Sequence, residues 1–501
     1  MIAFVLAFVF RAFVVEAFVI PTGSMAPTLL GQHARVHCPE CGYDFTVDPP
    51  RDARTRDGDR LALEISVLCP MCQFPTDMHA GQALGFGDRI LVHKFIYAFT
   101  EPARWDVVVF KNPQEPYVNF IKRLVGLPGE SLAIIEGNVF TKPALAEDKA
   151  WKIARKTDRP KVQRDVWQPI YHSQFVPLDS GQGLARRGAL WQQPWVAQPG
   201  SSWDTSDPLS MVSTGNNALN WLSFDFAAAQ TTPHSLYAYN QLNDLQTRRP
   251  VDLEPIEDVR IGALVEPQAA GVSVQLNTTC RLDDPQGRVW QLEASIDDAG
   301  QAKLIARSNF GQERTLAQAM VQPLKKGHAA RVELWYADQQ ASFWIDGVRT
   351  LVWEFDALLI RPGPAKLPAV NLGVRGQAVV REIELDRDIY YTGRSPARSS
   401  PGLGVLEQVD GGLRGSAVTI GPDQFFCMGD NSPYSHDSRF WDQVNPWIEF
   451  RMFEDQRQVY GMVPRKLMMG RAFFVYFPAP LRTGPPISLP VPNFGKMRFI
   501  H

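Results

Sequence analysis

The stretch "ARVELWYADQQASFWIDGVRTLVWEFD" alternates apolar and polar residues and breaks at a Gly-containing turn, so its side chains repeat every second position, as on a pleated strand. Similar runs recur on either side of it, among them "GVSVQLNTT", "VWQLEASIDD", "AKLIARS" and "AVVREIELDRDIYYTG". With 39 prolines and 37 glycines scattered between short apolar runs, few segments can carry a long helix. The chain is therefore expected to be mainly β. In this middle block, strands of such length separated by turns imply a sandwich or jelly roll. A fold of that kind leaves its ligand open.

The 501 residues suffice for several cores, and five regions separate by composition. Residues 1–20 are an apolar segment expected to anchor the chain in a lipid bilayer. Residues 21–36 and 81–141 form the first part of a strand-rich core and 401–501 the second. Residues 37–80 carry paired cysteines, and 142–400 contain the sandwich, whose "W-x-D-G" hairpin resembles one in concanavalin-like and laminin-G-like sandwiches. The opening "MIAFVLAFVFRAFVVEAFVI" holds two charges, Arg11 and Glu16. An uninterrupted span needs roughly 20 apolar residues, and Met1–Phe10 would cover about 15 Å as a helix. Either the anchor begins upstream, or Arg11 sits at the membrane interface. A cleaved signal peptide is disfavoured by the missing basic start and the lack of a small-x-small site before Pro21. A net charge of −2 argues against nucleic acid as a partner.

Cys38, Cys41, Cys69 and Cys72 form two Cys-x-x-Cys pairs, "CPEC" and "CPMC". Four thiolates on two knuckles can enclose a tetrahedral zinc, and Gly42 suits a tight knuckle. Such a site has no open position, so its zinc would be structural. Two disulfides are the alternative if this part faces an oxidising compartment. The intervening "PPRDARTRDGDR" would bulge outward.

Ser24 lies in "PTGSMAPT", directly after the apolar run. A serine hydroxyl needs a base, and none of the nearby histidines (His33, His37, His93) comes with an orienting carboxylate in sequence. A lysine serves if an apolar environment lowers its pKa. Lys122, in "VNFIKRLVGLPGE", has strongly apolar neighbours. On a strand, Lys122 and Arg123 would point to opposite faces, one inward and one outward.

The segments "PTGSMAPTL", "GDRILVHKF", "FIKRLVGLPGE" and "MGDNSPYSHDSR" occur in this order, flanked by "FVVEAFVIP" and "GRAFFVYFP". Together they closely resemble the bacterial type I signal peptidases, membrane-anchored serine endopeptidases that remove signal peptides from exported preproteins. The resemblance implies a mostly β catalytic fold on the extracytoplasmic side of the plasma membrane and a Ser–Lys dyad that needs no cofactor. It makes Ser24 the nucleophile and Lys122 the general base. The oxyanion would be held by the Ser24 backbone N–H and the Thr22 hydroxyl. Ser435 matches the serine that orients the lysine amine, Asp437 and Arg439 match an ion pair, and Asp430 and Asn431 belong to the opening "GDN". The usual Arg-Asp-Asn after it is replaced by Ser432, Pro433 and Tyr434, with the length preserved. Shallow pockets for small side chains would be built by Phe18, Ile20, Pro21, Phe120 and Ile121, each of which could equally be core. The cysteine block and the sandwich then read as insertions into that core, with the sandwich's ligand unidentified. Two other readings compete. One is a divergent, inactive relative that binds an envelope ligand through its sandwich. The other is a self-cleaving repressor, which would need a DNA-binding domain absent from this pattern.

Overall fold

A computed structural model describes residues 15–49, 51–72, 74–178, 191–215, 218–226, 228, 256–282, 289–361, 366–393, 402–409, 412–453, 460–482, 490, 491 and 493–501. The strand-rich architecture expected from the alternating runs is present. Most of the expected anchor, Met1–Val14, lies outside the described residues. Its last part does not continue a helix. Val15–Val19 (β1) is an edge strand paired antiparallel with Arg89–His93 (β2). Among the described residues no helix is long and apolar enough to cross a membrane.

Beside β2 lie Val107–Lys111 (β3), Asn119–Gly126 (β4), Gln424–Met428 (β5) and Met468–Phe477 (β6), in the spatial order β1-β2-β6-β3-β4-β5 within one eight-stranded sheet. Thus "AFFVYF" in β6 pairs with β2 on one side and with Arg498–Phe499 on the other, and Met468–Arg471 just before it pairs with β3. The middle of this sheet is covered on both faces. Val107, Val109 and Ile121 pack with Ile20, Met25 and Leu29 on one face. Val108, Phe110, Leu124 and Trp441 pack on the other. A six-stranded sheet, containing Glu130–Ile135, Asn138–Pro143 and Val405–Val409, completes this core.

The sandwich proper runs from Gln168 to Arg387, a narrower span than composition suggested. The flanking residues belong to the core: Val162 and Val166 of a short helix, Pro160–Val166 (α1), and Ile389 and Tyr391 all join its apolar cluster. An eight-stranded and a seven-stranded antiparallel sheet face each other across a large apolar interior, including Leu276, Leu292, Leu304, Leu334, Phe343 and Leu372. The opening motif of the sequence makes two consecutive hairpins. Both central residues of each turn have positive φ, Asp338 and Gln339 in one and Asp346 and Gly347 in the other. These are the primed turns that match strand twist.

The cysteine block forms two separate hairpins, Ala34–His37 with Asp44–Val47 and Ile65–Leu68 with Pro75–Met78. The charged connection between them folds back instead of bulging. Leu61 is buried among Ala34, Val36, Val67 and Leu84, and its N–H donates to the Gln82 carbonyl.

Charge docks the sandwich on the core. Lys156, between the core and α1, is fully buried and donates to Asp338 (2.6 Å), while Asp388 lies 2.9 Å from the same ammonium. Asp258, Asp338 and Asp388 converge here; Lys156 is the cation for Asp338 and Asp388, while Asp258 accepts from the Asp338 N–H and has Arg361 nearby. A second bridge joins Arg281 of the sandwich to Glu136 of the core at 2.8 Å. Removing one partner of a buried pair costs about 3–5 kcal/mol because the other charge is stranded. Lys156→Met is therefore expected to lower the unfolding free energy by that amount, measured by urea titration. Adding Asp338→Asn and Asp388→Asn should restore part of the loss.

Candidate active site

The apolar run ends at Pro21, and Gly23–Met25 then forms one turn of 3-10 helix whose residues are all buried. This turn sits against β4, with its Ser24 side chain facing Lys122. Lys122 Nζ lies 2.8 Å from Ser24 Oγ and donates to the Ile121 carbonyl at 3.0 Å. The Phe120 ring centroid is 5.0 Å from the ammonium. Lys122 is only 4% exposed. Burial drives its pKa down from the ordinary 10.5 to about 8, against the opposing charges of Asp437 and Asp430.

Arg123 is buried as well, which corrects the expectation that one of the two neighbours would face solvent. The reason is the position of β4 inside a sheet covered on both faces, with a carboxylate ready to meet the guanidinium. Asp430 receives Arg123 in a two-pronged pair, 2.7 Å at each oxygen, and also accepts from Thr28 Oγ1 at 2.6 Å. The next residue grips the serine turn. Asn431 N–H donates to the Ser24 carbonyl (3.1 Å), and its Nδ2 donates to the Gly23 carbonyl (3.0 Å). Thus "GDN" binds both the strand that carries the lysine and the turn that carries the serine.

Asp437 accepts from the Gly429 N–H at 2.9 Å and from Arg439 at 2.9 and 2.7 Å. Burial alone would raise its pKa, but the Arg439 charge and these hydrogen bonds outweigh that and hold it lowered. Ser435 is buried beside Gly429. Its expected hydrogen bond to the amine is not made in this arrangement, where the amine engages Ser24 and Ile121. Thr22 is exposed, with extended backbone, at the solvent edge of the turn. Of the pocket candidates, Ile20 and Ile121 are buried in one apolar cluster with Phe18 packed against it. Phe120 packs on the other cluster, near Phe110 and Trp441, and Pro21 is exposed.

Three contributors escaped the sequence reading. Thr28 carries no signal beyond lying four residues after Ser24. Ser432, part of the altered "SPY", accepts from Arg439 Nη1 (2.7 Å) and from the Thr392 N–H (2.9 Å), so this loop is tied down by its own chemistry. Ser438 accepts from the Cys427 N–H at 2.9 Å, fixing the strand end beside Lys122. The four knuckle cysteines lie together in the separate cysteine block.

A Cβ at Gly429 would collide with the Ser435 hydroxyl and the Ser24 carbonyl. Gly429→Ala is therefore expected to cost about 1–3 kcal/mol as an overpacked site. A crystal structure of the variant should show Ser24 Oγ outside hydrogen-bonding range of Lys122.

Residues 75–179 and 385–477 match the family model described as signal peptidase, peptidase S26. Lys122 and the Asp430–Arg439 loop fall within these ranges, and Ser24 precedes them. Signal peptidase I of Aquifex aeolicus is 29% identical over 102 residues, 17% of this chain and 40% of that protein. Signal peptidase I of Pseudomonas aeruginosa is 44% identical over 61 residues, 10% of this chain and 22% of that protein. The chain thus spans well under half the length of these relatives. Among solved structures, the carbohydrate binding module CBM66 from Bacillus subtilis covers 38% of this chain and 95% of its own, with 7% identity and a TM-score of 0.24, too slight a likeness to bear on function. The two segments that bring Lys122 and the Asp430–Arg439 loop to the serine turn are, in sequence, similar to the signal peptidase, peptidase S26 family, and most of the sandwich lies between them.

Proposed function

We propose that this chain is a type I signal peptidase, a serine endopeptidase that cuts signal peptides from exported preproteins at the extracytoplasmic face of the plasma membrane. The observation that carries this reading is the buried Lys122 amine 2.8 Å from Ser24 Oγ. Neutral Lys122 takes the hydroxyl proton as Ser24 Oγ attacks the scissile carbonyl. The Ser24 N–H and the Thr22 hydroxyl stabilise the oxyanion, Thr22 from the open edge where an extended substrate would enter. Collapse of the tetrahedral intermediate breaks the peptide bond, and the Lys122 ammonium returns its proton to the leaving amine. Lys122 then deprotonates the water that hydrolyses the acyl-enzyme. No cofactor takes part in this sequence.

The remaining groups position the pair. Asp430, Asn431, Asp437 and Arg439 hold the turn and the loop. Ser435, one residue-width away across Gly429, orients the amine as it takes up the proton. Phe18, Ile20, Pro21, Phe120 and Ile121 flank the dyad and would shape pockets for small side chains. The N-terminal apolar run would anchor the catalytic core beside the bilayer, where signal peptides arrive.

A detergent-solubilised preprotein incubated with wild type, Ser24→Ala and Lys122→Ala tests the dyad. Each variant should lose at least about 10³-fold in kcat/KM, by analogy with removal of a nucleophile or its base elsewhere. Equal processing by all three would overturn the assignment. Because the protonated lysine cannot act as a base, kcat/KM should fall as pH drops through about 8, with the slope of a single proton.

A further inference from the structure

The cysteine block takes no part in that chemistry, yet it is strongly organised. Cys38 and Cys41 close one hairpin and Cys69 and Cys72 the other. At the first knuckle Gly42 has φ +72°, its N–H donates to the Cys38 carbonyl, and the Cys38 N–H donates to the Tyr43 carbonyl. At the second, the Cys69 N–H donates to the Phe74 carbonyl. All four Sγ atoms are buried and lie within 4.8 Å of one another. The shortest separations run between knuckles, Cys38–Cys72 at 3.5 Å and Cys41–Cys69 at 3.6 Å. A disulfide needs about 2.05 Å. Four thiolates around one zinc at about 2.3 Å stand about 3.8 Å apart, which is close to what is seen.

The hairpins also need a staple. Each is an isolated two-stranded sheet of four-residue strands, and such ribbons are marginal alone. Around the thiols, Tyr43 and Phe74 come from the knuckles, whereas Phe175 and Trp191 come from the connection between the sandwich strands Gln168–His172 and Trp195–Ala197. Tyr43 meets Phe175 edge-on with centroids 4.7 Å apart. The Leu178 N–H donates at 2.9 Å to the carbonyl of Glu40, which lies between the two cysteines of the first knuckle. The outer wall of the thiol cluster is therefore the seat of the connection that follows the sandwich's first strand.

We propose that the four cysteines bind one Zn²⁺ in a closed tetrahedral site, and that this ion ties the two hairpins together and fixes the connection after the sandwich's first strand against them. The ion would hold Tyr43 and the Glu40 carbonyl in the positions that Phe175 and Leu178 contact. With all four positions taken by sulfur, the ion serves as a brace and has no place for a substrate. This inference stands apart from the peptidase reading, and neither depends on the other.

The full-length protein, purified under reducing conditions without chelator, should contain one zinc per chain by elemental analysis. A mercurial reagent should release that zinc as four thiols are titrated. Replacement by Co²⁺ should give the intense sulfur-to-metal absorption of a four-thiolate tetrahedral site. Removing the metal from the reduced wild type should speed proteolysis of residues 172–178 at least about tenfold, roughly the loss of 1.4 kcal/mol of local protection. Phe175→Ala should keep the zinc and lose that protection. A metal-free protein with two disulfides, seen as a mass four hydrogens lower, would overturn the site. Iron in place of zinc would overturn the identity of the ion. Unchanged proteolysis after zinc removal would overturn the link to the sandwich.

Discussion

The arrangement depends on keeping one ammonium out of water. Shifting Lys122 from 10.5 to about 8 corresponds to about 3 kcal/mol against its charged form. At pH 7 that leaves about a tenth of the molecules with a neutral amine, against a few in ten thousand for a solvated lysine. Such a shift needs apolar walls on every side and no carboxylate in direct contact. The carboxylates nearby are each occupied elsewhere, Asp430 by Arg123 and Thr28, Asp437 by Arg439 and the Gly429 N–H. Those pairs therefore matter less for net stability, where a buried ion pair contributes little, than for keeping negative charge directed away from Lys122.

The sandwich and the cysteine block attach to this core by different physics. The sandwich has its own large apolar interior and meets the core through buried charges, Lys156 among Asp338 and Asp388 and Arg281 on Glu136. Directional contacts of this kind specify one docking orientation, which an apolar face would not. The cysteine block has a small interior and depends on convergence of its thiols. It joins both neighbours, the stretch before the serine turn through the Gln32 N–H on the Pro21 carbonyl and the sandwich through Phe175 on Tyr43.

Much of this was readable along the chain. Alternation marked the sandwich strands, and the primed turns at Asp338–Gln339 and Asp346–Gly347 follow from two-residue spacings between them. The Ser24 and Lys122 segments, the "GDN" loop and the knuckles were visible because each combines a residue type with a local spacing. The second buried face of β4 was not visible. A run of apolar residues around a Lys-Arg pair is compatible with one covered face or two, and only the packing of Val108 and Phe110 on one side and Val109 and Ile121 on the other decides it. The strand character of Val15–Val19 was hidden for a related reason, since an apolar run has no fixed period until a partner strand supplies hydrogen bonds.

The sequence alone determined the β-rich class, the segments that carry Ser24 and Lys122 and the two knuckles of paired cysteines. These are local properties, written in alternation, spacing and residue chemistry. Only the tertiary structure decided that Ser24, Lys122 and Asn431 would meet, across separations of about a hundred and about four hundred residues. It also decided that Ser432 would tie down the altered loop and that Phe175 would rest on the cysteine knuckles. Each of these depends on where a distant element comes to lie, and no local pattern encodes the depth of burial that lowers the pKa of Lys122.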